Sequence, residues 1–397
     1  MSQTFAPARA SVLVVDDVAE NRDLLVRRLK RLGIDDIEQA VNGIEALAAI
    51  ERKTFHLVLL DIMMPELDGF GVLARLKGDG RINDLPVVVI SAMNEVEEVA
   101  RCLEQGAEDF IFKPFNPILL RARVMATLEK KFLRDSTRDE LRRKQAELDE
   151  ARALQLTLAP PDFHGAVNGQ TVSIEVVLEP AKEVGGDLVD HFRIGDRFVV
   201  LVLGDVSDKG AGAALMMART HALIRSLAVQ PDAEALFVQP EKAVGLINAT
   251  LTEGNSGNVF VTFLLATIDL VEQRICYVRA GHVPPFLRRA AGSVERLKAP
   301  GGLPLGLGEH VSYKSSTVAM EPGDRILIVT DGYTEAVDPA GALFGDARVE
   351  AFMAAMRPDD AAPLRTLTDM MRTFEAGLPA ADDTAGILLS LGPASDG

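Results

Sequence analysis

His56-Leu57-Val58-Leu59-Leu60-Asp61-Ile62-Met63-Met64-Pro65-Glu66-Leu67-Asp68-Gly69 decides the fold of the first part of this chain. His56–Leu60 is a nearly continuous apolar run, as a strand buried on both faces should be, and it stops at a carboxylate followed by a Pro- and Gly-containing loop. Working outward, Ser11–Val15 and Val87–Ile90 are runs of the same kind, and Asp36–Ala40 and Asp109–Phe112 have strand length. Helical patterns separate them, around Glu20–Leu32, Gly43–Arg52, Phe70–Lys77 and Glu95–Gln105. Five strand–helix units in succession predict an α/β doubly wound parallel sheet over residues 11–128, with function at the carboxyl ends of the strands.

Beyond Asn116 the pattern turns helical and stays so to about Leu158, which makes residues 129–160 a helical linker. Leu141 and Leu148 lie seven apart, but Lys144 and Ala151 occupy the flanking core positions. Such a thin seam suits a signalling helix or a homodimer stalk, with a passive spacer as the other reading. Pro160-Pro161 ends it. Strand-like alternations then recur at Thr171–Leu178, Arg197–Leu203, Phe260–Asp269, Arg274–Arg279, Arg325–Thr330 and Ala385–Leu391. Helical stretches fall around Ala211–Leu227, Glu241–Thr252 and Arg348–Met356. Strands that follow one another without helices between them predict an α+β domain over residues 161–391, antiparallel sheets with helices outside. Residues 1–10 and 392–397 read as tails.

With 48% hydrophobic and 25% charged residues the composition is that of an ordinary soluble protein. No apolar run approaches the roughly 18–20 residues of a membrane span, and Met1–Ala10 does not read as an export signal. Cys102 and Cys276 each sit in an apolar segment, as buried thiols do, so a reducing, cytoplasmic setting is expected. A net charge of −16 argues against a nucleic-acid-binding surface, and no helix-turn-helix follows the first domain.

Asp16 and Asp17 follow the first strand, Asp61 the third, Ser91 the fourth and Lys113 the fifth. A doubly wound sheet brings all five to one edge. There Asp17 and Asp61, with a backbone carbonyl, offer hard oxygen ligands to Mg²⁺, and Asp61 can attack a phosphate as a carboxylate nucleophile. Ser91 can hydrogen-bond a phosphoryl oxygen and Lys113 can pair with it. Taken alone, Asp16 and Asp17 read equally well as caps of the following helix.

The run Val14-Val15-Asp16-Asp17, the stretch Leu60–Gly69, Ile90-Ser91-Ala92 and Phe112-Lys113-Pro114-Phe115 together resemble a two-component receiver domain. That resemblance implies Asp61 as phosphoacceptor, with Asp16, Asp17 and the carbonyl of Met63 serving the metal. Ser91 and Lys113 would read the phosphoryl group, and Phe110 would occupy the aromatic switch position. It also implies a cis peptide before Pro114 and a sensor histidine kinase or phosphotransfer protein as partner.

A second set of acids stands beside glycines or turn residues: Gly185-Gly186-Asp187, Gly204–Gly210, Thr330-Asp331-Gly332 and Asp382-Asp383-Thr384. Asp205 and Asp331 each follow an apolar run. Four acids without histidine or thiolate suit Mg²⁺ or Mn²⁺, and a pair of ions bridged by water would supply hydroxide for attack on a phosphate ester. Asp331-Gly332 alone reads as a turn, and Asp382-Asp383 alone as a loop.

In family order, the segments Glu183–Asp190, Gly204–Gly210, Ala213–Met216, Ala280–Pro285, Gly302–Gly306, Thr330–Ala336, Leu343–Gly345 and Asp382-Asp383 resemble the PPM family of metal-dependent (type 2C) protein phosphatases, in its SpoIIE and RsbU branch. The resemblance implies Asp187 and Asp205 as metal ligands, Asp205 and the carbonyl of Val206 nearest the bridged pair, and Asp331 and Asp382 completing the site. Catalysis then rests on Asp205 and Asp331, and Asp383 stands where Asp and Asn alternate. Asp208 replaces a usual glycine and Ala385 a usual threonine. His282 reads as a fixed turn residue or as a general acid. The segment Ala151–Pro160 resembles the regulatory helix of this branch. The implied function is a receiver-controlled serine/threonine phosphatase acting on an anti-sigma-factor antagonist in a partner-switching stress pathway; the alternative is a non-enzymatic, phosphorylation-gated adaptor.

Overall fold

The computed structural model describes residues 6–92, 96–182, 184–255, 259–298, 300–357 and 360–394. The chain divides into two compact units, Met1–Lys144 and Gln145–Gly397.

The first unit alternates β1 (Ser11–Val15), α1 (Ala19–Arg31), β2 (Asp36–Ala40), α2 (Gly43–Arg52), β3 (Leu57–Asp61), α3 (Gly69–Gly78), β4 (Val87–Ser91), α4 (Val96–Glu104) and β5 (Asp109–Phe112). Its strands pair in parallel in the order β2-β1-β3-β4-β5. The three apolar runs are the three central strands. Every residue of β1 and β3 is buried, whereas β2 at the edge is largely accessible, which explains its weaker sequence signal. Two cores cover the sheet. Leu25 and Leu29 of α1 pack with Val12, Val14, Leu57 and Leu59 on one face. Ala46, Val72, Leu73 and Cys102 pack with Leu13, Val15, Val58 and Leu60 on the other. Local chemistry fixes the helix starts. Asn42 Oδ1 accepts from Glu45 N at 2.9 Å while Glu45 Oε2 accepts from Val41 N at 3.1 Å, a reciprocal cap, and Asp68 caps α3 through Gly71 N at 2.7 Å.

Helix α5 (Pro117–Leu156) begins in the first unit, and the division between the units falls within it. Asn116 caps it through Ile118 N at 2.9 Å. Leu120, Val124 and Leu128, four apart, are buried in the α1-side core with Phe132 against it. Residues 136–154 are all exposed, Leu141 and Leu148 included, and Gln155 is buried again.

The second unit contains β6 (Phe163–Val167), β7 (Gln170–Glu179), β8 (Leu188–Ile194), β9 (Phe198–Val206), α6 (Ala211–Ala228), α7 (Ala233–Phe237), α8 (Pro240–Thr252), β10 (Val261–Asp269), β11 (Arg274–Ala280), β12 (Phe286–Arg288), β13 (Val294–Arg296), β14 (Ser316–Ala319), β15 (Arg325–Val329), α9 (Asp331–Thr334), α10 (Gly345–Ala355), α11 (Pro363–Glu375) and β16 (Thr384–Ala394). Two antiparallel sheets result, β14-β11-β10-β9-β8 and β13-β12-β15-β16-β7-β6. Period-two alternation builds the layers. Val199, Leu201 and Leu203 of β9 meet Ile326, Ile328, Ile387 and Leu389 between the sheets, while Val200 and Val202 turn outward to Met217, Ile224 and Ile247. Leu327, Val329 and Leu388 cover the opposite outer face with Tyr333, Met353, Leu364 and Met371.

Among the described residues, eight elements of the second unit lie outside the sequence expectation: β6, α7, β8, β12, β13, β14, α9 and α11. The β6–β7 hairpin turns at Asn168-Gly169, both with positive φ (49° and 74°), a tight-turn signal that was present in the sequence. β8 escapes the apolar-run criterion because Asp190, His191 and Arg193 interrupt it. α11 starts with Pro363 and buries Leu364, Leu367 and Met371, a helical spacing with a proline start. The last strand also runs beyond Leu391, across a register shift, to pair Ala394 with Gln170. Of the expected C-terminal tail, residues 395–397 lie outside the described residues.

Candidate functional sites: two groups of carboxylates

In the first unit the ends of β1, β3 and β5 bring Asp16, Asp17, Asp61 and Lys113 together. Asp16, Asp17 and Asp61 each offer an oxygen within 4.8 Å of the others. Lys113 Nζ lies 2.7 Å from Asp61 Oδ2 and 2.8 Å from Asp16 Oδ2. Asp61 Oδ1 accepts from Ile62 N at 2.8 Å. Burial raises the Asp61 carboxyl above the usual range against the opposing pull of Lys113. The Lys113 ammonium is disfavoured by burial, yet its bonds to Asp16 and Asp61 hold its pKa above the ordinary value. Three carboxylates against one ammonium leave about two negative charges, and one of the three, Asp17, is exposed. Hard oxygens with that charge fit a divalent cation of the Mg²⁺ type.

Asp16 also holds the segment that enters α1: its Oδ1 accepts from Val18 N and from Asn21 Nδ2, both at 3.0 Å. Met63 is exposed in the loop after Asp61. That loop is folded tightly enough that a Cβ at Gly69 would lie 2.5 Å from the Asp61 carbonyl oxygen. Glu66 in the same loop accepts from Asn42 at 3.0 Å. Ser91 closes β4, its carbonyl accepting from Lys113 N at 2.8 Å. Phe110 stands edge-on to Phe112 at 5.0 Å, and the Lys113–Pro114 peptide is cis.

The second site draws on both sheets of the second unit. Asp187 directly precedes β8 and Asp205 lies at the end of β9, in one sheet; Asp331 follows β15 and Asp382-Asp383 precede β16, in the other. Asp187 is 1% exposed. Its carboxyl is pushed well up by burial, then by the charges of Asp205 and Asp383. Asp205 is pushed up to about 7 by burial, then by Asp331, Asp382 and Asp383, and it hydrogen-bonds Asp187. Asp331 is raised by burial, then by Glu335 and Asp382. Partly or fully buried carboxylates that repel one another are hard oxygen donors of the kind divalent cations take. Gly186 leaves the Val206 carbonyl room, since a Cβ there would stand 3.2 Å from that oxygen.

Asp383 does something different from its neighbours. Its Oδ1 accepts from Ala181 N at 2.8 Å and its Oδ2 from Gly186 N at 2.6 Å, so both oxygens are engaged in holding the β7–β8 connection that carries Asp187. Asp383 thereby anchors that connection with both of its carboxylate oxygens. Asp382, partly exposed, pairs with Lys209 Nζ at 3.0 Å, and Lys209 also donates to the Ala381 carbonyl. Thr330 donates to Asp187 Oδ2 at 2.9 Å, and its hydroxyl accepts from Ala385 N at 3.0 Å. Lys209 and Thr330 went unassigned in the sequence because neither type marks a site by itself. His282 is buried, 3.1 Å from Thr262 Oγ1, its carbonyl held by Arg279, and burial lowers its pKa to about 4. A neutral imidazole so placed matches the fixed-turn reading rather than a general acid.

These raised carboxyls give a pH prediction. The folded state holds protons that the unfolded chain gives up near pH 4, so stability is lost as pH rises from about 4 through about 7. In EDTA, calorimetry should show the second unit melting at least about 3 °C lower at pH 8 than at pH 5.5. Mn²⁺ should raise that transition more at pH 8 than at pH 5.5, and Asp205→Asn should flatten the pH dependence.

Comparison with known proteins agrees with these two units. Residues 12–125 match the model of the response regulator receiver domain, and residues 195–391 that of stage II sporulation protein E. Protein IcfG of Synechocystis sp. is 30% identical over 227 residues, 51% of this chain and 35% of the relative. The probable transcriptional regulator ycf27 of Porphyridium aerugineum is 40% identical over 122 residues, 31% of this chain and 49% of the relative. The chain thus spans a third to a half of these relatives. The SiaA-PP2C domain of Pseudomonas aeruginosa superposes with a TM-score of 0.53 at 18% identity, covering 63% of this chain and 98% of that domain, a likeness of fold.

Proposed function

For a chain that joins a response regulator receiver domain to a SpoIIE-family domain of PP2C fold, we propose a phosphatase whose activity is set by aspartyl phosphorylation. A sensor histidine kinase or phosphotransfer protein supplies the phosphoryl group. Asp61 attacks the phosphorus, the bond to the donor breaks, and Lys113, freed from its pairing with the charged Asp61 oxygen, turns to the new phosphoryl oxygens. Asp16, Asp17 and the Met63 carbonyl hold Mg²⁺, with Ser91 and Phe110 reporting the change.

In the second unit Asp187, Asp205, Asp331, Asp382 and the Val206 carbonyl hold Mn²⁺ or Mg²⁺, two ions that when bound activate water for in-line attack on a phosphate ester. The residues of the chain set up that chemistry: Thr330 and Asp383 orient Asp187 and its loop, and Lys209 steadies Asp382. The substrate class is phosphoserine or phosphothreonine on a partner protein, an anti-sigma-factor antagonist, in the cytoplasm. No helix among the described residues is long and apolar enough to cross a membrane. The exposed stretch of α5, with Leu141 and Leu148, offers a homodimer seam. The observation that carries the reading is that Asp187, Asp205, Asp331 and Asp382 all stand at strand ends of the second unit; a phosphorylation-gated adaptor would need the receiver acids but not these.

The test is phosphate release from a phosphorylated antagonist in Mn²⁺, with and without beryllofluoride as an acyl-phosphate mimic. Turnover should change at least several-fold on adding the mimic, and Leu148→Lys should remove that response while sparing basal activity. Binding of the phosphoprotein without release would favour the adaptor.

A further inference from the structure

Asp187 is carried by the connection between β7 and β8, and among the described residues two side chains from distant parts of the sequence hold its backbone. Asp383 takes the amides of Ala181 and Gly186. Gln155, in the last turn of α5, takes the residue between: its Nε2 donates to Gly185 O at 2.8 Å and its Oε1 accepts from Gly185 N at 3.0 Å. One side-chain amide thereby satisfies both backbone groups of one residue, two positions before Asp187. Gln155 is 5% exposed, after a stretch of helix exposed at every residue from 136 to 154. Gly185 has no slack, because a Cβ there would lie 2.5 Å from Asp383 Oδ2.

We infer that Gln155 is a positioning residue for the acid site: by clamping Gly185 from the end of α5 it fixes the turn that presents Asp187. Only a carboxamide offers a donor and an acceptor side by side, and glutamine has one methylene more reach than asparagine. A side chain on a helix changes direction by about 100° per residue. The clamp therefore holds only while the last turn of α5 keeps its register, and a change there reaches Asp187 through two peptide units. The inference rests on the phosphatase reading and deepens it, making the end of the linker helix a determinant of metal affinity.

The test uses the full chain with Gln155→Met, which keeps shape and loses both bonds, and Gln155→Glu, which keeps the acceptor and loses the donor. Leu154→Ala, an exposed neighbour, is the control. Mn²⁺ binding is measured calorimetrically, the part owed to the second unit being that lost in Asp205→Asn. Both Gln155 variants should weaken that binding by at least about tenfold. Amide exchange over residues 184–187 should quicken, while turnover at saturating Mn²⁺ stays within about threefold of the parent. Leu154→Ala should change none of these. Parent-like Mn²⁺ affinity in either Gln155 variant, or a lowered melting temperature with unchanged affinity and exchange, overturns the inference. Parent protein whose Mn²⁺ binding survives Asp205→Asn intact points to failure of the phosphatase reading itself.

Discussion

Asp205→Ala and Asp331→Ala should each lower phosphate release by roughly a hundredfold to a thousandfold, the scale on which removing one electrostatic group from a preorganised site acts. Both acids lie in a group of like charges, with burial and neighbouring carboxylates raising their pKa values. Removing one relieves repulsion, so without metal each variant should melt at or above the parent temperature at pH 8. Loss of activity joined to undiminished stability separates a ligand from a structural residue. Asp383→Ala is the contrast. It frees the amides of Ala181 and Gly186 and should lower both stability and Mn²⁺ affinity. Phosphate release, EDTA titration and melting curves on the three variants decide the matter. Turnover near the parent value in Asp205→Ala would move the chemistry elsewhere.

The second large effect concerns Asp61. With a small-molecule phosphodonor and Mg²⁺, labelling should be complete in the parent and absent in Asp61→Asn, and the label should be lost to hydroxylamine as an acyl phosphate is. The carboxylate is the nucleophile, and an amide oxygen in its place lacks the charge to attack. Lys113→Ala should still be labelled, because Lys113 reads the phosphoryl group and does not receive it, but beryllofluoride should no longer alter its phosphatase turnover. Equal labelling of parent and Asp61→Asn would end the proposal for this site.

Much of this architecture is written locally. Continuous apolar runs specify β1, β3 and β4 because a strand buried on both faces tolerates nothing else, and parallel pairing then collects Asp16, Asp61 and Lys113 without further information. Alternation within β9 and β10 likewise separates an inter-sheet face from a helix-covered one. Both groups of acids, and their order along the chain, could be read from spacing to strand ends and glycines.

The sequence by itself determined which acids stand at the ends of the strands; the tertiary structure alone decided which of their oxygens are taken. Asp382 and Asp383 are adjacent and identical in type, yet one faces Lys209 while the other holds the amides of Ala181 and Gly186, the latter 197 residues away. Thr330 reaches Asp187 across 143 residues, and Gln155 reaches Gly185 across 30. No periodicity records such bonds, because a single side chain meeting a single backbone group at the end of a fold leaves no pattern in the neighbouring residues. Only once the two sheets and the end of α5 are in place does geometry distinguish the carboxylate that pairs with Lys209 from the one that anchors two amides beside it.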